Sequence, residues 1–280
     1  MSLVANAIPL TDKEFKLISA LVYDKAGIKL SDQKHTLIVE RLQKIIRNGG
    51  FGTFKEYYDY VVSEPTGTAL LTMIDKISTH HTMFFREKEH FEFMRSHVLP
   101  HIVNSFSRKV DRNIRIWCAG CSSGEEPYTL AMLLHDYFAE KMIGYDIGIL
   151  ATDISVSSIE KARNGIYPSS ILSSVPIQFR NKYFKKIDEE NVQVVQSLRE
   201  MILFRRLNLI RENYPFRGLF QVIFCRNVMI YFDTPTRQSL VERYHRYLEP
   251  EGFLFIGHSE SISRANSLFK YVKPAVYQKI

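Results

Sequence analysis

The sequence predicts an α/β fold with a mostly parallel sheet covered by helices on both faces, preceded by an all-helical N-terminal domain. Three observations carry that expectation. Residues 1–75 or so show helical periods with their caps and no strand signal. From about residue 111, apolar runs of strand length alternate with helical stretches, the pattern of a parallel sheet with crossover helices. And 280 residues is length enough for about two domains with real cores.

In the N-terminal region Thr11 with Glu14 and Thr53 with Glu56 have capping-box spacing, in which hydroxyl and carboxylate satisfy each other's orphan amides. Ser31 offers a third cap. Gly27 and the Gly49-Gly50 pair stand where helices need a left-handed stop. The expected helices are 12–26, 32–48, 54–63 and 67–78.

In the second region Ile114-Arg-Ile-Trp-Cys118, Ile147-Gly-Ile-Leu-Ala-Thr152 and Phe220-Gln-Val-Ile-Phe-Cys225 read as buried strands, with helices near 127–140, 155–164 and 235–248. Segments 252–257 and 275–280 look like a closing pair of strands after the Glu249-Pro-Glu-Gly252 turn. The interval 165–207 breaks the alternation and reads as an insertion with a small sheet of its own, drawn from Val192–Val195 and Met201–Arg205. The expected division is therefore 1–78 helical, 79–110 a linker and the first helix of the second domain, and 111–280 the α/β domain with its insertion at about 165–207.

Composition narrows the class. At 45% apolar and 24% charged, without repeats or biased tracts, the chain is an ordinary globular protein rather than a disordered, collagen-like or coiled-coil one. The 37 basic against 30 acidic residues leave +7, which asks for an acidic partner. Only Cys118, Cys121 and Cys225 occur, so a disulfide framework is not expected and a reducing cytoplasm is. No run of 18 apolar residues exists, and MSLVANAIPL lacks the basic and apolar regions of a secretory signal, so neither a membrane anchor nor export is expected.

In open alternating sheets ligands bind beyond the carboxyl ends of the strands. The first strand runs into Ala119-Gly-Cys-Ser-Ser-Gly-Glu-Glu-Pro-Tyr128, where Gly120 and Gly124 let backbone approach a ligand. This is not G-x-G-x-x-G, and Glu125 and Glu126 occupy the helix start where a pyrophosphate needs open amides, so a cationic ligand is favoured over a phosphate. The second strand ends at Asp153, the position from which a carboxylate takes ribose hydroxyls. Close backbone approach, ribose and sulfonium together describe S-adenosylmethionine; the bland alternative is ordinary helix-start and turn chemistry.

The runs Ser123-Gly-Glu-Glu-Pro-Tyr-Thr129, Ala151-Thr-Asp-Ile154, Phe224-Cys-Arg-Asn-Val-Met-Ile-Tyr-Phe-Asp233 and Phe255-Ile-Gly-His-Ser-Glu260, with Phe84-Phe-Arg-Glu87 upstream, resemble the CheR family of bacterial chemoreceptor glutamate methyltransferases, over essentially the whole chain. The resemblance implies a Rossmann-like catalytic domain with a small inserted β-subdomain, S-adenosylmethionine as cofactor and S-adenosylhomocysteine as product. It implies a cofactor site in which the family's Asn, Thr and Arg between the domains fall on His80, Thr82 and Arg86, the first a departure from the pattern. Gly120 lies in the cofactor loop; the family's acidic contact falls on Glu126, its ribose carboxylate on Asp153, its Asn-Leu pair near the adenine on Asn208 and Leu209, and its Arg-Asn pair on Arg226 and Asn227. Tyr231 matches a tyrosine close to the transferred methyl, so Arg86 and Tyr231 are the expected catalytic pair; the competing readings are a surface ion pair of Arg86 with Glu87 or Glu89, and core packing for Tyr231.

On the second helix Ile38, Val39, Leu42, Ile45 and Ile46 share one arc, and Lys34, Arg41, Lys44 and Arg47 the opposite one. Family relatives dock such a basic helix on the acidic cytoplasmic helical bundle of the receptor, which gives Arg41, Lys44 and Arg47 a docking role against the alternative of a solvated charged face. Residues 1–75 hold nine basic and nine acidic side chains, so only this stripe is polarised. Some relatives also hold a receptor C-terminal pentapeptide on the inserted sheet through loop glycines; Lys185-Lys-Ile-Asp-Glu-Glu190 has none, and no such tether is expected. No metal is expected either: Cys118-x-x-Cys121 has one further cysteine in the chain, and His80-His81 stands alone. Met83-Phe84-Phe85 reads as core packing. Neither nucleic acid nor membrane insertion is expected, and nothing demands more than a monomer. The alternatives are a methyltransferase of nucleic acid or another substrate, and a cofactor-binding adaptor that has lost catalysis.

Overall fold

A computed structural model describes residues 8–105, 112–139, 144–263 and 267–280. The chain forms two compact units, one running to Thr79 and joined by Tyr231–Thr236, the other comprising His80–Ile230 and Arg237–Ile280. Most of the opening decapeptide, the end of the 79–110 segment and residue 140 at the expected end of a helix lie outside the described residues. Among the described residues no helix is long and apolar enough to cross a membrane.

The helical unit contains α1 (Asp12–Ala26), α2 (His35–Asn48), α3 (Phe54–Ser63) and α4 (Thr68–Ile77). Thr11 and Glu14 form the reciprocal capping box, and Gly27 closes α1 in the left-handed region at φ 70°. At α3 only half of the expected box is present. Thr53 accepts the Glu56 amide, but the Glu56 carboxylate takes the Gly52 amide instead. The helix expected from residue 32 begins as a 3-10 turn, Asp32–Lys34, and Ser31 makes no side-chain cap there. Ile38, Leu42 and Ile46 bury the apolar arc of α2 against Phe15, Ile18 and Met73. The segment Tyr231–Thr236 belongs to this unit: the Lys29 amide donates to the Tyr231 carbonyl at 2.9 Å and the Tyr23 hydroxyl to Asp233 at 2.7 Å.

The second unit opens with α5 (Glu89–Phe93), a π-turn over Met94–Val98 and α6 (Leu99–Ser105). Then follow β1 (Asn113–Ala119), α7 (Glu125–Tyr137), β2 (Asp146–Asp153), α8 (Val156–Asn164), β3 (Ile166–Pro168), α9 (Ile177–Tyr183), β4 (Phe184–Lys186), β5 (Asn191–Val194), α10 (Gln196–Glu200), β6 (Ile202–Arg206), β7 (Phe220–Cys225), α11 (Thr234–Tyr247), β8 (Leu248–Ile256), β9 (Phe269–Lys273) and β10 (Val276–Lys279). The main sheet has order β6-β2-β1-β7-β8-β10-β9, parallel from β6 to β8 and closed by antiparallel β10 and β9. β1 lies between β2 and β7, so strand order reverses at the β1/β7 boundary.

Several strand assignments differ from the sequence reading: β3 and β4 were not expected, and β8 begins at Leu248 and runs through the expected Glu249–Gly252 turn. Ile202–Arg206, expected in the inserted sheet, is β6 and edges the main sheet beside β2; its buried Ile202 and Phe204 alternate with exposed Leu203 and Arg205, which an edge strand allows and a central one does not. β9 was not expected, because its Phe269-Lys-Tyr-Val-Lys273 run has no apolar stretch. The inserted sheet is β3-β5-β4, antiparallel. Phe84 packs edge-on to Tyr167 and Phe184, and Phe85 stacks on Phe179, so these two aromatics are core, whereas Met83 is exposed.

Candidate cofactor site beyond the carboxyl ends of β1 and β7

The α/β unit places its chemistry at the strand-order reversal, where the turns after two parallel strands diverge and leave a crevice. The turn after β1 carries Gly120 at φ 90°, where an added Cβ would stand 2.3 Å from Val228 Cγ2. A side chain is therefore excluded at position 120 by both conformation and space. Gly120 and Cys121 amides both donate to the Thr152 carbonyl, tying this turn to the end of β2. Gly124, at φ 101°, then starts α7.

Asp153 ends β2. Its two carboxylate oxygens accept the Ser122 amide at 2.8 Å and the Ser155 amide at 2.9 Å. Burial nevertheless pushes its pKa up. A carboxylate offers about four acceptor positions, so some capacity to accept a ribose hydroxyl remains beyond its backbone contacts. Glu125 is buried with its carboxylate on the Ser123 hydroxyl, and burial raises it as well.

Glu126 takes a different partner. Its carboxylate pairs with Arg226 at 2.7 Å and accepts the Cys118 thiol at 2.9 Å. Burial raises the Cys118 and Cys121 thiols well above their ordinary range, so both are protonated and act as small packing groups. Arg226, at the end of β7, is almost wholly buried and also reaches the Glu87 carboxylate at 3.0 Å and the Arg86 carbonyl. For Glu87, burial works upward, but the Arg226 charge and hydrogen bond, with His258 and His90 beside it, bring the pKa below the usual range.

Asn227 follows in the left-handed region at φ 59°, its amide held by Glu260, which also accepts from the Gly257 and Ile230 amides. Six non-glycine residues have positive φ among the described residues, and four of them, Phe85, Glu87, Ser122 and Asn227, belong to this cluster. Strain concentrated this way is characteristic of a site the surrounding structure has been built to hold.

The expected site residues divide as follows. Glu126, Asp153, Arg226, Asn227 and Gly120 converge on the crevice. The His80 carbonyl accepts the Ser122 hydroxyl at 3.1 Å, which brings the start of the unit to the same turn. Thr82 is half-buried on the irregular segment that follows. Arg86 donates to the His81 carbonyl at 3.0 Å rather than pairing with Glu87. Asn208 follows the Leu207 amide, which donates to the Asp153 carbonyl; Leu209 is buried and its carbonyl accepts from Tyr214 and Arg243. Tyr231 lies with the helical unit, its ring half-buried. In that unit Arg41, Lys44 and Arg47 are all exposed on α2.

Sequence reasoning gave Glu87 only the part of a possible ion-pair partner for Arg86, and gave Glu260 none, although both stand in the quoted motifs. Their position against residues 226 and 227 is created by the fold and has no sequence spacing. The donor set fits S-adenosylmethionine: carboxylates of Glu87, Glu125, Glu126 and Asp153 outnumber the buried guanidinium, which suits a cationic ligand with ribose hydroxyls and rejects a polyphosphate.

Comparison with known proteins agrees with this geometry. Residues 80–277 match the family model described as CheR methyltransferase, SAM binding domain, and residues 13–78 the one described as CheR methyltransferase, all-alpha domain. A chemotaxis protein methyltransferase of Borreliella burgdorferi is 42% identical, covering 97% of this chain and 96% of that protein. Those of Escherichia coli (36% identical, 98% of this chain and 93% of that protein) and Pseudomonas aeruginosa (chemotaxis protein methyltransferase 2; 35%, with 95% and 93%) are similarly related.

Proposed function

Because the chain belongs to the CheR methyltransferase family and is an S-adenosylmethionine-dependent methyltransferase of chemotaxis, we propose that its acceptors are specific glutamate side chains of chemoreceptors, converted to methyl esters. The observation that carries the reading is the convergence of the Asp153, Glu126 and Arg226 side chains beyond the ends of β2, β1 and β7, a donor set suited to a cationic cofactor. A glutamate of pKa about 4.3 is already ionised at neutral pH, so the reaction asks the protein for orientation and water exclusion rather than proton abstraction.

When bound, S-adenosylmethionine supplies an electrophilic methyl on a sulfonium. Asp153 accepts hydroxyls through the lone pairs its amide contacts leave over. Glu126, fixed by Arg226, presents negative charge to the cationic part of the ligand. Gly120 gives the backbone its close approach, and Asn208 with Leu209 borders the adenine. His80, Thr82 and Asn227 complete the contacts. Arg86 orients the acceptor carboxylate; Tyr231 keeps the role beside the methyl that the resemblance implies.

Arg41, Lys44 and Arg47 form the docking stripe for the acidic cytoplasmic helical bundle of the receptor. Support comes from their common exposure on α2, opposite the buried Ile38, Leu42 and Ile46. The β4–β5 hairpin is closed by Asp188, which takes the Glu190 and Asn191 amides, and has no glycine to admit a peptide backbone, which supports an enzyme without a C-terminal peptide tether; a monomer acting in the cytoplasm is the reading carried from the sequence.

The deciding experiment is transfer of labelled methyl to receptor with a base-labile product. A base-stable product, or labelling of nucleic acid instead, overturns the glutamate assignment, and absence of any transfer by cofactor-binding protein favours the adaptor reading. Arg86→Ala and Tyr231→Phe, compared at cofactor concentrations that saturate each variant, should lose turnover; wild-type rates would remove their roles. Reversing charge at Arg41 and Lys44 should raise the receptor KM about tenfold at low salt, with kcat unchanged.

A further inference from the structure

The buried residues of the α/β unit include one that the methyl-transfer chemistry does not use. His90, on α5, is wholly buried, and neither of its ring nitrogens has a hydrogen-bond partner. A buried polar group without a partner is costly and calls for an explanation. Its Nδ1 lies 3.5 Å from Glu87 Oε2, and His258 Nε2 lies 4.0 Å from the same oxygen. One ligand atom from each of Glu87, His90 and His258 falls within 4.8 Å of the other two.

We propose that Glu87, His90 and His258 form a binding site for a borderline divalent metal ion, Zn2+ being the best match. Two imidazoles and one carboxylate are the donor set this class of ion prefers. With bonds of about 2.0–2.2 Å, tetrahedral ligand atoms stand about 3.4 Å apart, so closing the set requires shifts under about 1 Å per side chain.

The surroundings hold the ligands as metal ligands are usually held. Arg226 holds the Glu87 carboxylate through Oε2 at 3.0 Å, the oxygen that faces both imidazoles, while Oε1 has only 3.5 Å contacts to the Asn227 side chain and the His258 amide and is the oxygen a small rotation would offer to the ion. His258 sits in the turn after β8, pinned by the Glu260 carboxylate on the Gly257 amide. Such outer contacts orient ligands and raise affinity. The carboxylates of Glu87, Glu126 and Glu260 exceed the single guanidinium of Arg226, so a divalent cation reduces the local charge imbalance. His258 has 46% of its side chain exposed, which gives the ion a path from solvent and leaves room for a water ligand. Burial, with Arg226 nearby, pushes His90 down to about 3, so its imidazole is in the neutral form that ligates. A bound ion would clamp the start of the unit to the turn after β8, two segments that no spacing in the sequence relates.

The test uses the untagged full-length chain, stripped with chelator and titrated with Co2+ as a visible reporter. The expected result is one equivalent of Co2+ with ligand-field absorption of a nitrogen/oxygen site, displaced by Zn2+. His258→Ala and His258→Gln, changes at an exposed side chain, should each weaken binding by at least about 100-fold while the far-ultraviolet circular dichroism is unchanged. No saturable binding at micromolar metal, binding that survives both substitutions, or a sulfur-to-cobalt charge-transfer band that identifies a cysteine ligand would each overturn the site. None of these readouts involves methyl transfer, so the outcome is separable from the identity of the acceptor.

Discussion

The two units solve the burial problem in opposite ways. In the helical unit no charged side chain is buried among the described residues, and the core is one cluster of apolar arcs at helical spacing: Phe15, Ile18 and Val22 of α1 with Ile38, Leu42 and Ile46 of α2 and Met73 of α4. The α/β unit buries His90, Glu125, Asp153, Arg226 and Arg243. Helix periodicity and local caps suffice to hold the first. The second holds its buried guanidinium groups through remote parts of the chain, Arg226 on Glu126 and Glu87 and Arg243 on Tyr214 and the Leu209 carbonyl, and such burial costs stability unless the matching is complete. A binding site for a charged ligand is the reason to accept that cost.

The largest expected effect breaks the contrast at its centre. Arg226 bridges Glu126 and Glu87, and removing it leaves two carboxylates facing one another without a cation. Arg226→Ala should cost about 3–5 kcal/mol in urea denaturation. Arg226→Lys should recover only part of this, because an ammonium lacks the fork that reaches both carboxylates. The single tryptophan, Trp117, is buried in β1 and reports on the α/β unit alone. A loss below about 1 kcal/mol in its emission would mean that the pairs are not what holds the buried charge.

A smaller effect belongs to the helical unit. Leu42 is fully buried among apolar neighbours, so Leu42→Ala should cost about 2–5 kcal/mol through lost burial and the cavity left behind. Far-ultraviolet circular dichroism should show the loss in the helical signal while the Trp117 transition moves less. Equal shifts in both probes would show that the two kinds of core fail together, and the contrast would lose its energetic meaning.

The same contrast explains what could be read from the sequence. The helices of the first unit were legible because Thr11, Glu14 and Gly27 are local signals and act locally; the exception, the 3-10 turn at Asp32–Lys34, carries no distinguishing residue. The parallel strands were legible from apolar runs, and β6 was misassigned because half of its residues face solvent as an edge strand permits. Glu126 and Asp153 could be singled out from their places after strands. Glu87, His90, His258 and Glu260 could not, since their roles arise from contacts across more than one element, and a carboxylate or imidazole bears no mark in the sequence of what the fold will bring to it.

The smallest effect separates the units by sign. Burial works to raise the Glu14 pKa, but hydrogen bonds with Thr11 and the Lys55 amide outweigh it and the net shift is downward. Glu125 shifts upward, because burial dominates over its Ser123 hydrogen bonds. A carboxyl lowered by folding adds stability above its unfolded pKa of about 4.3 and loses it as pH falls through the lower folded value. A carboxyl raised by folding does the reverse: its contribution is greatest below about 4.3 and declines as pH rises through the folded pKa. Neutral amides remove both dependences. Relative to wild type, Glu14→Gln should be less stable at pH 7 than at pH 3, by about 1 kcal/mol or less given its solvent exposure. Glu125→Gln should instead gain on wild type as pH rises from 4 to 7. Measuring the four stabilities by urea denaturation, with Trp117 emission for the Glu125 pair, decides the matter: if both substitutions gain on wild type as pH rises, burial governs the carboxylates of both units; if both lose, hydrogen bonding does, and either result removes the contrast.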